Sequence, residues 1–395
     1  MDVASQSDRI PVAALAGVTA ALAMFGMAQG LSYPLFTLLM QRQGMSPSLI
    51  GLSAAMMPLG LILSASLVPW AARIFGARAL AVGCALAGAL CFVAIGLLQD
   101  WVAWFIIRFI VGFVINPLYI LGEVWALALA PPAKRGRVMG IFNSLMGAGY
   151  AAGPLALAVV GTQGWAPFLV CIGGFGACAL MLFAVTSKLS GFEDDGKEPA
   201  DVLGFMRVAP ALLLAVLVSA ATQTSTYSLL PVFGAGYGLA EATLATLITA
   251  LSIGNIALQI PLGVAAERVG ARTMIVFCAV VTGLLALLLP VFILTPMIWP
   301  ILIVLGAVGY GIYTMALIEL GNRYSGSMLI AGNASFALLW GAGGIVGAPA
   351  TGSMIQAIGP LGLPVGICAL CTMLVVFVSY RTLVRRRAGI TPPPR

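Results

Sequence analysis

Residues 263–272 read GVAAERVGAR, and 194 positions upstream residues 69–78 read PWAARIFGAR. Both end in Gly-Ala-Arg, at Gly76-Ala77-Arg78 and Gly270-Ala271-Arg272, and both sit in short gaps between long apolar runs. The same offset pairs Gln29 with Gln223, Tyr33 with Tyr227, Gly44 with Gly238 and Gly60 with Gly254. Farther on it pairs Gly112 with Gly306, Tyr119 with Tyr313 and Gly153 with Gly347. Chance alignment of apolar sequence matches Ala with Ala or Leu with Leu; it does not keep amides, phenols and Gly-x-Arg in one register. The chain reads as a duplication.

The apolar runs say what is duplicated. They fall at 11–38, 48–70, 79–98, 102–129, 137–160, 166–187, 208–233, 242–265, 273–294, 299–320, 329–352 and 362–381. A helix needs about 20 apolar residues to cross the hydrocarbon core of a bilayer. Of the 395 residues 61% are hydrophobic and 8% charged, against roughly a quarter charged in soluble domains. The solvent of this chain is therefore lipid, and the sequence predicts an all-α membrane protein of twelve transmembrane helices in two pseudo-symmetric six-helix bundles. The first run is too long for a signal-peptide core and is read as a retained span. The first bundle is expected over 1–187 and a flexible cytoplasmic linker over 188–206, within SKLSGFEDDGKEPADVLGFMR (187–207). The second bundle, with a short cytoplasmic tail, is expected over 207–395. Six helices per half is an even number, so the halves are parallel repeats, an arrangement that places a substrate site between them near mid-bilayer.

Charge sets the orientation. With both termini in the cytoplasm, seventeen of the nineteen basic residues face that side, while Arg42 faces the other and Arg108 lies inside a span. This bias follows the positive-inside rule and predicts a multi-pass protein of a bacterial-type inner (plasma) membrane with both termini cytoplasmic. The basic residues are divided among short loops at one face, so no nucleic-acid partner is expected. The chain has no histidine, which excludes His-dependent zinc motifs and a Ser-His-Asp triad. All seven cysteines fall in apolar runs and read as small hydrophobes, the Cys368/Cys371 pair included. No nucleophile–base or metal-ligand constellation is present and no P-loop, so neither an enzyme nor a resident cofactor or metal is expected.

At this point the residues resemble the major facilitator superfamily, over the whole chain. GVAAERVGAR is similar to the family's loop signature G-x-x-x-D/E-R-x-G-x-R/K. Its first-half counterpart is degenerate, with Arg73 where the acidic residue would stand. Arg108-Phe109-Ile110-Val111-Gly112 resembles the family's intramembrane arginine motif. Gly149-Tyr150-Ala151-Ala152-Gly153-Pro154 resembles the G-x-x-x-G-P signature associated with antiporters. The basic residue in the first loop and the region of the tenth and eleventh runs are similar to the YcaD-like, drug-efflux-like branch. The resemblance implies a monomeric secondary transporter working by alternating access.

The candidate site lies on a few polar stripes. In the fourth run Arg108, Gly112, Asn116, Tyr119 and Glu123 are spaced to share one helix face. A membrane helix keeps such a stripe by turning it toward protein or a water-filled cavity, and an arginine at mid-helix costs a few kcal/mol to insert. Arg108 either receives an anionic group of the substrate or bonds to carbonyls and holds the bundle together. Glu123 either carries the coupling proton or forms a cytoplasmic latch with Arg73 or Arg78. Gln29/Tyr33 and Gln223/Tyr227 are i,i+4 pairs, as are Asn255 and Gln259, and Tyr310 and Tyr313 extend the stripe of Gly306. Each alone reads as interhelical glue, and together they predict a cavity. The substrate site is thus expected at Gln29, Tyr33, Arg108, Asn116, Tyr119, Gln223, Tyr227, Asn255, Gln259, Tyr310 and Tyr313. Proton coupling or gating is expected at Glu123, Glu267, Arg268, Arg272, Arg73 and Arg78. Glu319, four residues before Arg323, reads as half of an exposed i,i+4 ion pair.

The reading is a small-molecule exporter driven by the proton gradient. Its rivals are uptake or uniport of a small metabolite, anionic or neutral, and a transporter-like sensor or scaffold that binds without transport.

Overall fold

In the computed structural model, which describes residues 12–129, 135–185 and 202–387, every regular element is a helix. In order these are α1 (Val12–Arg42), α2 (Pro47–Ala65), α3 (Val68–Phe75), α4 (Ala77–Leu97), α5 (Trp101–Leu129), α6 (Arg135–Val160) and α7 (Ala166–Val185). The second half runs α8 (Val202–Val208), α9 (Pro210–Ala235), α10 (Glu241–Ala257), α11 (Gln259–Val269), α12 (Ala271–Phe292), α13 (Ile298–Arg323), α14 (Gly326–Ile358) and α15 (Gly362–Arg387). With α2–α3 and α10–α11 each read as one broken span, and α14 and α15 counted separately across the short 3-10 turn Gly359–Leu361, twelve membrane-length segments result among the described residues.

The duplication is visible atom by atom. Gly44 and Gly238 both take positive φ (73° and 78°), as do Gly76 and Gly270 (80° and 89°), the turns that lead into α2, α10, α4 and α12. A left-handed turn of this kind is open to glycine at no steric cost. A Cβ at Gly60 would meet the carbonyl oxygen of Phe109, and one at Gly254 would meet that of Ile303, 194 residues on. The same translation carries the contact of Gly149 with Ala23 onto that of Gly343 with Leu217. It also carries Gly153 against Met27 onto Gly347 against Ala221. Small residues let membrane helices approach backbone to backbone, where dispersion replaces the absent hydrophobic drive. The repeat is therefore kept at the helix seams, where a side chain cannot be accommodated.

The second and eighth apolar runs, expected as single helices, break at corresponding points. The chain leaves α2 at Ala65 and re-enters a helix at Val68, and α10 meets α11 at Leu258 with a bend of 45°. Pro69 and Pro261 lie just past the breaks. Neither has an N–H to continue the helical ladder, yet both fit the first turn of a new helix.

The chain divides into two compact units. One comprises 1–45, 56–197 and 239–252, the other 46–55, 198–238 and 253–395. The opening residues of α2 (46–55) thus belong to the second unit, and those of α10 (239–252) to the first. Within the first, α1 packs on α5, α6 and α7, and α4 on α5 and α7; within the second, α9 packs on α13, α14 and α15, and α12 on α13 and α15. The helices with polar stripes are the more enclosed: 78% of the α9 span is buried, against 33% for α4. Of the expected linker, 188–201 lies outside the described residues. Its end is a helix, contrary to expectation: α8 buries Phe205, whose ring meets Tyr324 edge-on at 5.1 Å. One aromatic residue in a polar stretch is enough to dock a short helix.

Gly60→Ala and Gly254→Ala should each lower the melting temperature in detergent, reflecting about 1–3 kcal/mol of overpacking against rigid backbone. Gly83→Ala, whose Cβ would enter open space, should leave it unchanged.

Candidate functional site

In the first unit aromatic side chains of α1 and α6 gather around one cation carried by α5. Arg108 of α5 is fully buried, and its guanidinium carbon lies 4.7 Å from the centroid of the Phe36 ring on α1. Tyr33, one turn earlier on α1, interacts electrostatically with Arg108 and hydrogen-bonds Tyr150 of α6, their rings 6.2 Å apart. A desolvated guanidinium over an aromatic face gains up to about 2 kcal/mol. That offsets only part of what burying the charge costs. Phe36 and Tyr150 were not picked out from sequence, because an aromatic residue in an apolar helix gives no sign of which face it lines.

The other residues of the α5 stripe go different ways. Gly112 packs against the backbone of Met57, and Asn116 donates its amide to the Leu61 carbonyl oxygen at 3.1 Å. Both therefore serve the seam with α2. Tyr119 stands edge-on to Phe25 of α1 at 4.9 Å. Glu123, near the α5 terminus, is exposed. Arg78, one of its two expected latch partners, instead donates to the Phe183 carbonyl oxygen at 2.7 Å and lies over that residue's ring at 4.3 Å.

Gln29 and its repeat mate Gln223 share an uncommon property. Each holds its Nε2 out of solvent with no hydrogen-bond partner among the described residues, and Gln29 is only 1% exposed. Leaving a buried donor unsatisfied costs about 1–3 kcal/mol. An amide kept at that cost twice, at equivalent positions, is suited to a partner that comes and goes. Around Gln223, the Thr226 hydroxyl donates to Thr222 O at 2.7 Å, and Tyr227 lies one helical turn on, half-buried.

The second unit adds an aromatic cluster. Trp340 of α14 stands edge-on to Tyr313 at 4.7 Å and to Tyr310 at 6.1 Å, and the two tyrosine rings lie 5.7 Å apart. Trp340 was also missed from sequence, for the same reason as Phe36. Asn255 and Gln259, by contrast, are committed within the protein. Gln259 donates to Ala307 O at 3.1 Å and to Asn255 Oδ1 at 3.4 Å, and accepts from Thr314 at 2.9 Å. Broken backbone between α10 and α11 thus gains side-chain support from α13.

At the gating positions Arg73, Glu267 and Arg268 are exposed, while Arg272 is half-buried. At the opposite helix ends the first unit closes a polar clasp that the sequence did not predict. Arg42 grips Glu241 with two parallel bonds, Nε to Oε1 at 2.7 Å and Nη2 to Oε2 at 2.5 Å. Thr162 joins them through its hydroxyl to the same carboxylate and its carbonyl oxygen to Arg42 Nη1 at 3.2 Å.

A duplicated membrane fold whose polar side chains are held inside its helical units defines a polytopic solute carrier. The Major Facilitator Superfamily model matches residues 18–246 and 212–394, and the chain belongs to that family and is a secondary transporter. It is similar to the uncharacterized MFS-type transporter YfkF of Bacillus subtilis (strain 168), with 25% identity over 84% of this chain and 86% of the relative. It is also similar to the uncharacterized MFS-type transporter YcaD of Escherichia coli O17:K52:H18, with 23% identity over 80% and 78%. Among solved structures it shares the fold of the nucleoside transporter NupG, with TM-score 0.77, 13% identity, and 93% and 98% of the two chains covered. A bacterial homolog of the human lysosomal transporter Spinster shares it too, with TM-score 0.74, 14% identity, and 98% and 100% covered.

Gln29→Leu should keep or raise the melting temperature in detergent, because it removes an unsatisfied donor at matched volume. The same variant should lose most substrate binding, measured by ligand-induced thermal shift. A drop in stability of the unliganded variant would mark Gln29 as structural.

Proposed function

We propose that this transporter exports a small amphipathic or weakly anionic organic compound in exchange for protons, by alternating access, across an inner membrane with both chain termini in the cytoplasm. The observation that supports this most is the fully buried Arg108 against Phe36 and beside Tyr33. A permanent cation enclosed by rings suits a ligand with one negative charge and an apolar body. The guanidinium gives two or more parallel donors to a carboxylate or phosphate oxygen pair, and the rings take the apolar part. Within the first unit Gln29 adds an amide donor; the second unit by itself offers similar chemistry in Gln223, Tyr227 and the Tyr310/Tyr313/Trp340 cluster.

For the proton we assign Glu123. It lies on the same helix as Arg108, is exposed, and one of its two candidate latch partners is engaged with Phe183. Arg42 and Glu241 serve as the outer clasp, opened and remade once per cycle; a bidentate charged pair of this exposure is weak enough to break reversibly. Glu267, Arg268, Arg272, Arg73 and Arg78 act at the inner end. The basic loops that set this orientation also favour it electrostatically at an anionic inner leaflet.

The test uses proteoliposomes with an imposed pH gradient, a trapped pH dye, and compounds that raise the protein's melting temperature. Wild-type protein should release the gradient when such a compound is added. Arg108→Ala should abolish this while remaining folded, and Glu123→Gln should still exchange substrate but without moving protons. Transport indifferent to the gradient would indicate uniport, binding without counterflow exchange would indicate a sensor, and wild-type rates for Arg108→Ala would remove Arg108 from the site.

A further inference from the structure

At the clasp end of the first unit a recess of about 370 Å³ opens among the ends of α1, α4, α5, α6 and α7. Sites that hold small molecules span about 300–1,000 Å³. Arg42 and Thr162 of the clasp stand on its wall, and the transport cycle proposed above uses none of the other wall residues. Unpaired charge is not what this recess offers. Arg42 is held by Glu241. Arg323 is held in the same way by Glu319 at 2.6 Å, although Glu319 is 9% exposed where the sequence suggested an exposed pair.

Rings and carboxamides make up the rest of the wall. Trp104 of α5 is 1% exposed and donates its indole N–H to the Leu98 carbonyl oxygen at 2.7 Å, so it offers the recess only its ring. Trp165, in the turn ahead of α7, is 44% exposed and stands edge-on to Phe168 at 6.1 Å. A Cβ on Gly96 would come within 2.7 Å of Trp165 Cζ3, so the missing side chain is what lets the indole lie over the end of α4. Gln43 donates its amide to Gln99 O at 3.2 Å, and Gln99 donates its own to Gly96 O at 3.0 Å. With each NH₂ end directed at a backbone carbonyl, both side-chain oxygens are left as acceptors. Gln163 is exposed and keeps its whole amide without a hydrogen bond among the described residues. These side chains do not recur in the second half. At the 194-residue offset Trp104 meets Ile298, Gln163 meets Ala357 and Trp165 meets Gly359, so the duplicated scaffold does not require them.

Acceptor oxygens call for a ligand that donates. An ammonium ion would suit oxygens and rings, but no carboxylate lines this wall and Arg42 stands on it. A carboxylate would find Arg42 already engaged and the amide oxygens turned against it. An uncharged ring bearing several hydroxyls meets both demands, since its C–H face lies on an indole while its hydroxyls donate to the amides. We infer that this recess binds such a compound, in its simplest form a hexopyranoside, with the ring on Trp165 and hydroxyls bonded to Gln43, Gln99 and Gln163. The binding rests on neither the direction nor the coupling of transport proposed above.

The test uses the full chain in phosphatidylcholine nanodiscs free of sugar detergents, with methyl β-D-glucopyranoside as probe and saturation-transfer-difference NMR as readout. Wild-type protein should transfer saturation to the ring protons of the probe. Gln163→Leu should weaken binding about fivefold, as expected for one neutral hydrogen bond. Trp165→Ala should weaken it at least as much, and Trp165→Phe, which keeps a ring, should retain most of it. Unchanged melting temperatures should show that all three variants are folded. No transfer to the probe in wild type, or an affinity untouched by Trp165→Ala and Gln163→Leu, would overturn the assignment. Displacement of the probe by tetramethylammonium would overturn it in favour of a cationic ligand. Displacement by a glucosyl diacylglycerol placed in the nanodisc would support the sugar chemistry and assign its source to the membrane.

Discussion

Hydrocarbon offers no hydrogen-bond partner, and nearly every feature of this chain answers to that fact. Backbone N–H and C=O groups must be satisfied within the segment that carries them, so the spans are helices. Polar side chains must find partners inside the protein. Where the ladder is interrupted, at α2–α3 and α10–α11, the structure supplies compensation, seen most clearly in the amides of Asn255 and Gln259 and the hydroxyl of Thr314. Among the few groups left in a polar but underused state, the amides of Gln29 and Gln223 are conspicuous because they stand at equivalent positions of the repeat.

Glycine solves the complementary problem. Lipid gives no apolar driving force between helices, so cohesion comes from close approach, and close approach comes from missing side chains. This is why the duplication survives most clearly at Gly60/Gly254, Gly149/Gly343 and Gly153/Gly347, whose neighbours also correspond at the same offset. Elsewhere the halves have diverged: Asn116 corresponds to Tyr310, and the arginine of α5 has an apolar counterpart in α13. Rigid seams with divergent interiors let one scaffold carry an asymmetric site.

Much of the fold was legible in the sequence because length, hydropathy and a fixed-offset repeat are one-dimensional signals. The helix breaks at Pro69 and Pro261 were hidden inside apolar runs whose hydropathy does not change across them. α8 was hidden because its anchor is the single residue Phe205. The site was less legible. A stripe on a helix wheel says which residues share a face, but not what that face meets: Gly112 and Asn116 meet α2, whereas Arg108 meets Phe36. Aromatic partners such as Phe36, Tyr150 and Trp340 carry no pattern of their own and emerge only when helices are packed. The Arg42–Glu241 clasp joins residues 199 positions apart, beyond any local rule.

The central claim is that these inward polar residues line a path that water and solute reach from one side of the membrane at a time. The most direct measurement replaces the seven native cysteines, introduces single cysteines at Gln29, Tyr33 and Tyr227, and labels sealed vesicles of both orientations with a membrane-impermeant maleimide. The account predicts labelling from either face, with substrate or a pH gradient shifting the balance between them. Cysteines that react only with lipid-soluble reagents, or never react, would contradict it.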